Sequence, residues 1–366
     1  MESLIWIFRE VRDPRDFNAQ HDLPAMLFIA LAATLCGAKS CVDIADFAAA
    51  HEAMLAEIVD LKHGAPSHDS FSRVFRLLDP DEMAKVFARF VAALREGLGL
   101  DPANGVVAVD GKRLRRGYER GRNCMPPLMV SVWDAETRLS LATRHAPDGN
   151  EVAATLAALK GLVLKGCTVI GDALHCHPAM AAEVLQTGAD YALKLKGNNA
   201  PLFACAQAAF ATADTRGKLN FHEESDSDHG RQERRRASVI ARPTDAPTFP
   251  GLAAIARIAT ERTANGKLTK ATHYVALSKR LSPQRALEVT RTYWSVENQL
   301  HWRLDVVFNE DDARTRKNYG PQNLAVLRRM ALDILRAHPD NRSVGRKMKL
   351  AAWSKEFFFN LFAHLR

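Results

Sequence analysis

A mixed α/β fold preceded by a helical bundle is what the sequence predicts, and three observations carry it. Residues 17–96 are rich in Ala, Leu, Phe and Met with few strand signals, whereas residues 106–195 alternate short apolar runs with helical stretches. The charge also changes sign between the two regions. Residues 1–100 hold 10 Lys and Arg against 15 Asp and Glu, and residues 101–366 hold 40 against 27. The net charge of +8 therefore conceals a basic excess confined to the last three-quarters of the chain, which favours a polyanionic partner docking there. At 366 residues, 47% apolar and 25% charged, the composition is globular. It excludes wholesale disorder, collagen-like repeats and a membrane bundle.

The elements follow in order. Leu23–Cys36 is the longest apolar run, too short to span a bilayer, and reads as a buried core helix. Asp43–Val59 reads as a second helix, and Ser67-x-x-Ser70 opens a third stretch with Phe71, Val74, Phe75 and Leu78. Pro80-Asp81-Glu82 starts a fourth, with acids at its positive end and Val86, Phe87, Phe90, Val91 and Leu94 as its stripe. A linker-like cluster at 101–105 ends the bundle. Strands are then expected at Val106–Val109, Leu128–Trp133 and Leu139–Thr143, a helix from Asn150 to Leu164, a strand at Cys167–Gly171, a helix at Pro178–Gln186 and a strand at Asp190–Leu195. Between 199 and 285 the pattern loosens into a polar stretch (Phe221–Arg236) and strand candidates at 236–241, 252–261 and 272–277. Helix returns over Pro283–Leu304 and in basic segments from about 321 onward. No signal peptide precedes the first apolar run, and the six scattered cysteines read as reduced thiols, so a cytoplasmic protein is expected.

Asp110 ends the first strand and Asp172 the fourth, and neighbouring strand ends in such a sheet are where side chains converge on a ligand. Two carboxylates beside basic residues suit a divalent metal that in turn meets a phosphate. Glu297, His301 and Asp305 recur at i, i+4 and i+8 on one helical stripe, flanked by Trp294 and Trp302. The plainer reading of that helix is an amphipathic surface with its tryptophans in the core. His175-Cys176-His177 lacks the second spaced pair that structural zinc sites show.

Taken together these blocks resemble the DDE transposases of bacterial insertion sequences, in the ISAs-type group with the H-repeat-associated proteins. The resemblance spans nearly the whole chain. It rests on Ala108-Val109-Asp110-Gly111-Lys112, Gly149-Asn150-Glu151, Gly171-Asp172-Ala173-Leu174-x-Cys176, Leu193-Lys194-Leu195-Lys196-Gly197-Asn198 and His229-Gly230-Arg231. A longer block follows, Trp294-x-x-Glu297-Asn298-x-Leu300-His301-Trp302-x-Leu304-Asp305-Val306-x-Phe308-x-Glu310-Asp311. Thr290, Tyr293 and Leu304 stand where the wider insertion-sequence signature has Tyr, Arg and a basic residue. Glu297 therefore rests on this block, with Asp305 as the other acid of the stripe.

The resemblance implies an α/β, ribonuclease H-like catalytic domain (104–335) with a mostly β insertion (199–285). An N-terminal helical bundle (1–100) would precede it and a basic C-terminal helical segment (336–366) follow it. It also implies Asp110, Asp172 and Glu297 as a metal-binding catalytic triad holding two Mg²⁺ or Mn²⁺ ions. Phosphodiester cleavage and strand transfer use two ions about 3.5–4 Å apart, clamping the attacking and leaving oxygens. Water frees a 3′-hydroxyl, which then attacks target DNA. The expected partners are double-stranded DNA at the terminal inverted repeats and the target, with a dimer at synapsis and nucleoid association when bound. Residues expected to contact DNA are Lys112, Arg113, Arg115 and Arg116 after Asp110, then Lys194, Lys196 and Asn198, His229 and Arg231, and Trp294, His301 and Trp302. The alternative function is a catalytically inactive or host-adopted DNA-binding or nuclease protein derived from such an element.

Overall fold

The computed structural model describes residues 1–100, 105–118, 125–217, 219–228 and 231–365. The chain opens with α1 (Glu2–Arg9), α2 (Leu23–Leu35), α3 (Cys41–Ala50), α4 (Glu52–Ala56), α5 (His68–Leu77) and α6 (Pro80–Leu98). Side-chain caps start four of these helices: Asp22, Ser40, Ser67 and Asp79 each accept a backbone N–H of the first turn. The single helix expected over 43–59 is broken at His51, whose backbone leaves the helical region between α3 and α4. Gly99, in the left-handed conformation, terminates α6.

Strands β1 (Val106–Arg113), β2 (Leu128–Asp134) and β3 (Leu139–Ala146) form an antiparallel meander, followed by α7 (Glu151–Leu159), β4 (Thr168–Gly171), α8 (Pro178–Gln186) and β5 (Asp190–Leu195). Then come α9 (Ala200–Thr215), β6 (Phe221–Asp228), β7 (Arg231–Ala241), β8 (Ala254–Ala264) and β9 (Lys267–Leu277). All nine strands lie in one sheet of order β3-β2-β1-β4-β5-β9-β8-β7-β6. β4 runs parallel to β1 and β5 parallel to β4; β9 returns antiparallel on β5. The β-rich segment thus continues the same sheet. Two features of it run against the sequence expectation. A helix, α9, begins it, and in the polar stretch residues 221–228 and 231–236 are strand, laddered by cross-strand pairs such as Arg236 with Glu223 and Arg235 with Asp226.

The strand period of two sorts β1 between two cores. Val106 and Ala108 face one core, with the N-terminal helices, whereas Val107 and Val109 face the other, with α8 and α9. The chain ends in α10 (Pro283–Thr292), a π-helical turn at Val296–His301, α11 (Trp302–Val306), α12 (Gly320–Ala337), α13 (Val344–Trp353) and α14 (Lys355–Asn360). α12 is buried almost throughout, and Phe358 and Phe362 of the C-terminal region pack with Phe28 of α2 in the first core. The first and last segments therefore share one apolar body. Arg328, Arg329 and Lys347 are buried within it, so not all the basic residues of the C-terminal helices face outward. No helix among the described residues is long and apolar enough to cross a membrane.

Candidate active site

β1 and β4 pair with Val109 opposite Gly171, so Asp110 and Asp172 each follow a paired residue at the same end of adjacent parallel strands. Strand alternation puts Asp110 on the face of Val106 and Ala108, under the helix that carries Glu297. The Tyr293 hydroxyl donates to Asp110 Oδ1 at 3.1 Å, and His301 Nδ1 lies 3.4 Å from Oδ2. Val296, Leu300 and Leu304 anchor this helix in the core, leaving Glu297 exposed above the strand end. The π-helical turn around Glu297 is a deformation that recurs at functional sites.

A fourth carboxylate joins the cluster. Glu151, at the first turn of α7, reaches back to β1 beside Gly111. A Cβ at Gly111 would meet the Glu151 carboxylate carbon at 2.5 Å, so a side chain there would push the carboxylate away from β1. Burial, then repulsion from Glu151, raises Asp110 to about 7, with Glu297 adding to it against the Tyr293 hydrogen bond. Glu151 is raised too, chiefly by burial and with repulsion from Asp172 contributing. Asp172 moves the other way. Its hydrogen bond with His175 Nδ1, at 3.1 Å, is the largest cause holding it below the usual carboxylate range, and the Leu174 backbone N–H adds to this at 2.8 Å. His175 is fully buried, with Nε2 3.0 Å from Thr155 Oγ1 and 3.8 Å from Glu151. It lies between Asp172 and Glu151.

Sequence reasoning gave these supporting residues no role. Glu151 was read as opening a helix, His175 as part of a failed zinc motif, and Tyr293 as an occupant of a signature position. All three stand in or beside blocks already singled out, and their spacing alone did not show that they converge.

The expected DNA contacts divide. Lys112 is buried, with Nζ 2.7 Å from both Asp305 and Asp311, which corrects its placement on a phosphate surface. β1 runs on through Arg113, so Lys112 points the same way as Asp110 and enters the space under α11. His301 is likewise enclosed beneath the helix. Burial pushes it down to about 3, with the Arg329 and Lys112 charges adding to this, so it is a neutral neighbour of Asp110 and not a phosphate contact. Arg115 pairs with Asp311 and Arg116 with Asp312, while Arg113 is exposed beside Glu151. Lys194 on β5 and Lys196 just past its end are close enough for Lys194 to feel the Lys196 charge, and Lys194 also senses Asp172. The Asn198 amide donates to the Ala173 carbonyl and so braces the turn after Asp172. Trp294 and Trp302 are 60% and 48% exposed, against the core-packing reading. His229 lies outside the described residues, and Arg231 begins β7.

The cluster fits a divalent cation by its chemistry. Hard oxygen donors are gathered where burial, with their mutual repulsion adding to it, raises two of them. Among the described residues no three of these groups stand at ligating separations.

The mixed sheet with its helices has the architecture of a ribonuclease H-like domain. Residues 101–334 match the family described as the transposase DDE domain, and residues 5–91 match the DDE_Tnp_1-associated domain. The chain belongs to the DDE transposase family, whose members generally use divalent metal ions. Among its relatives, an uncharacterized protein in the dhlA 3′ region of Xanthobacter autotrophicus is 34% identical over 72% of this chain and 90% of its own. The provisionally named H repeat-associated transposase YhhI of Escherichia coli K12 is 27% identical over 95% of this chain and 94% of its own. The provisionally named transposase YncI of E. coli O157:H7 is 27% identical over 96% and 92%.

Proposed function

We propose that this chain is the DNA transposase of an insertion sequence: it binds the terminal inverted repeats, cleaves the phosphodiester bond at their tips and joins the freed ends to target DNA. The observation that carries the reading is the meeting of Asp110 and Asp172 on adjacent parallel strand ends beneath the helix of Glu297. Relatives named as H repeat-associated transposases point the same way. Asp110, Asp172 and Glu297 would hold two Mg²⁺ or Mn²⁺ ions, with Glu151 as a further oxygen donor. When bound, such ions polarise the phosphate and make water a nucleophile near neutral pH. Tyr293 and His301 fix the Asp110 carboxylate, and His175 fixes Asp172. Lys194 and Lys196 offer the strand backbone two charges beside Asp172, and the exposed Trp294 and Trp302 offer stacking faces to an unpaired base at the cleaved end. Two ends brought into synapsis require a dimer at work.

The test uses purified protein, Mg²⁺ and DNA carrying the repeats that flank the gene. Cleavage at the repeat tips together with joined products is the expected result. Cleavage without joining would make the protein a nuclease, and binding without either, with Mn²⁺ also tried, an inactive remnant.

A further inference from the structure

We infer a second polyanion site, apart from the carboxylates, in the cleft between the N-terminal helices and residues 314–317, and assign it to the sugar–phosphate backbone of DNA. The cleft has a volume of about 750 Å³, and Arg76, Arg314, Arg316 and Lys317 line it, with Asp69 as the one acid in its wall among the described residues. The charges there are unbalanced in a way the neighbouring ones are not. Arg115 and Arg116, a short step along the same surface, are each matched to an aspartate. Among the described residues, Arg76, Arg314 and Lys317 have no ion-pair partner, and the buried Nε of Arg76 has no acceptor at all. Arg316 spends Nε on the Arg116 carbonyl at 3.2 Å, and its other donors are left over. Asp69 already faces His68.

Four cations gathered in one cleft repel each other, and an anion entering it relieves that repulsion. Cys41 and His68 bring the first turns of α3 and α5 to the wall, so the positive ends of two helix dipoles act in the same direction. Among the described residues the walls carry no Phe, Tyr or Trp to sandwich a base, which favours backbone over a free nucleotide. A chain of contacts links the cleft to the candidate active site. Arg316 bonds to Arg116, Arg116 pairs with Asp312, and the adjacent Asp311 holds Lys112, two residues from Asp110. DNA entering the carboxylate site could therefore lay its flank here. Only the choice of DNA as the polyanion rests on the proposed function.

The experiment is anisotropy on the full chain with a labelled inverted-repeat duplex in EDTA over a salt series, comparing wild type with Arg314→Glu/Lys317→Glu. Both side chains are exposed, so the fold has little stake in them. The variant is expected to bind about tenfold more weakly, with a salt slope shallower by about 2, one unit per phosphate contact removed. Wild-type affinity and slope in the variant would overturn the assignment while leaving the transposase reading intact. A wild type with no affinity for DNA would overturn both. Calorimetry with pyrophosphate distinguishes the other source of phosphate: pyrophosphate binding lost in the variant, with DNA affinity unchanged, would give the cleft to a free phosphate ligand and overturn the backbone assignment.

Discussion

Asp110→Asn is expected to abolish DNA cleavage and, in the metal-free protein, to raise stability above neutral pH. The carboxylate is buried and repelled by Glu151, and its folded pKa is raised to about 7. Below the unfolded value of about 3.9 both states hold the proton and nothing is lost. As pH rises from there the unfolded chain gives up its proton while the folded chain keeps it, so stability falls until the folded group also titrates. The loss is on the order of 4 kcal/mol by pH 8. Asparagine carries no such charge and can still accept from Tyr293. Urea unfolding in EDTA at pH 5 and pH 8 reads this directly: the wild type should weaken between the two, and the gap to the variant should open. Mg²⁺ should restore the wild type at pH 8 and leave the variant where it is. A gap of the same size at both pH values would sink this account of Asp110.

Arg329→Met is expected to cost about 3–5 kcal/mol, because it leaves the fully buried Glu310 without its closest cation. Arg329 Nη1 lies 3.1 Å from Glu310 Oε1 and donates to the Ala325 carbonyl at 2.9 Å, while Nε donates to Ser131 on β2 at 3.3 Å. The pair secures the turn at Glu310–Asp312, and that turn supplies Asp311 to Lys112 and Arg115, and Asp312 to Arg116. Loss of Arg329 therefore loosens the frame below Asp110 as well as the core. The double variant Glu310→Leu/Arg329→Met removes both charges but leaves the buried Arg328 without Glu310, so it should recover only part of the loss. Denaturant midpoints for the single and double variants settle the matter. A single variant within about 1 kcal/mol of wild type would mean that Glu310 is not held as described.

Much of the architecture was legible because local rules agree with the global fold. The β1–β5 core and the helices between its strands follow from apolar runs, capping residues and the prolines of α6 and α8. The segment 221–236 hid its strands because its stabilising pattern is cross-strand charge, and such a stretch looks like loop when each residue is read alone. Asp110, Asp172 and Glu297 could be named from their motifs. What lay out of reach was the direction of their neighbours. Lys112 looked like the first of a basic loop, yet β1 runs three residues past Asp110, and the period of two turns Lys112 inward. Trp294 and Trp302 look like core by composition, but Val296, Leu300 and Leu304 already fill the buried stripe of their helix. Glu151 reaches the site through the packing of α7 on β2 and β3, and His175 meets Glu151 only where that helix comes down on the turn after Asp172.

The central claim is that Glu297, and not Asp305 on the same stripe, completes the carboxylate site with Asp110 and Asp172. Asp305 is held by Lys112 at 2.7 Å, whereas Glu297 acts on Asp110 and faces outward at the strand ends. The deciding measurement is the single-turnover cleavage rate on inverted-repeat DNA with saturating Mg²⁺ for Glu297→Gln and Asp305→Asn. A metal-held phosphate is worth several kcal/mol, about a thousandfold in rate, so Glu297→Gln should lose about that much. Asp305→Asn should stay within about tenfold of wild type, because Lys112 keeps Asp311. The reverse ranking, with Asp305→Asn inactive and Glu297→Gln near wild type, would contradict the account.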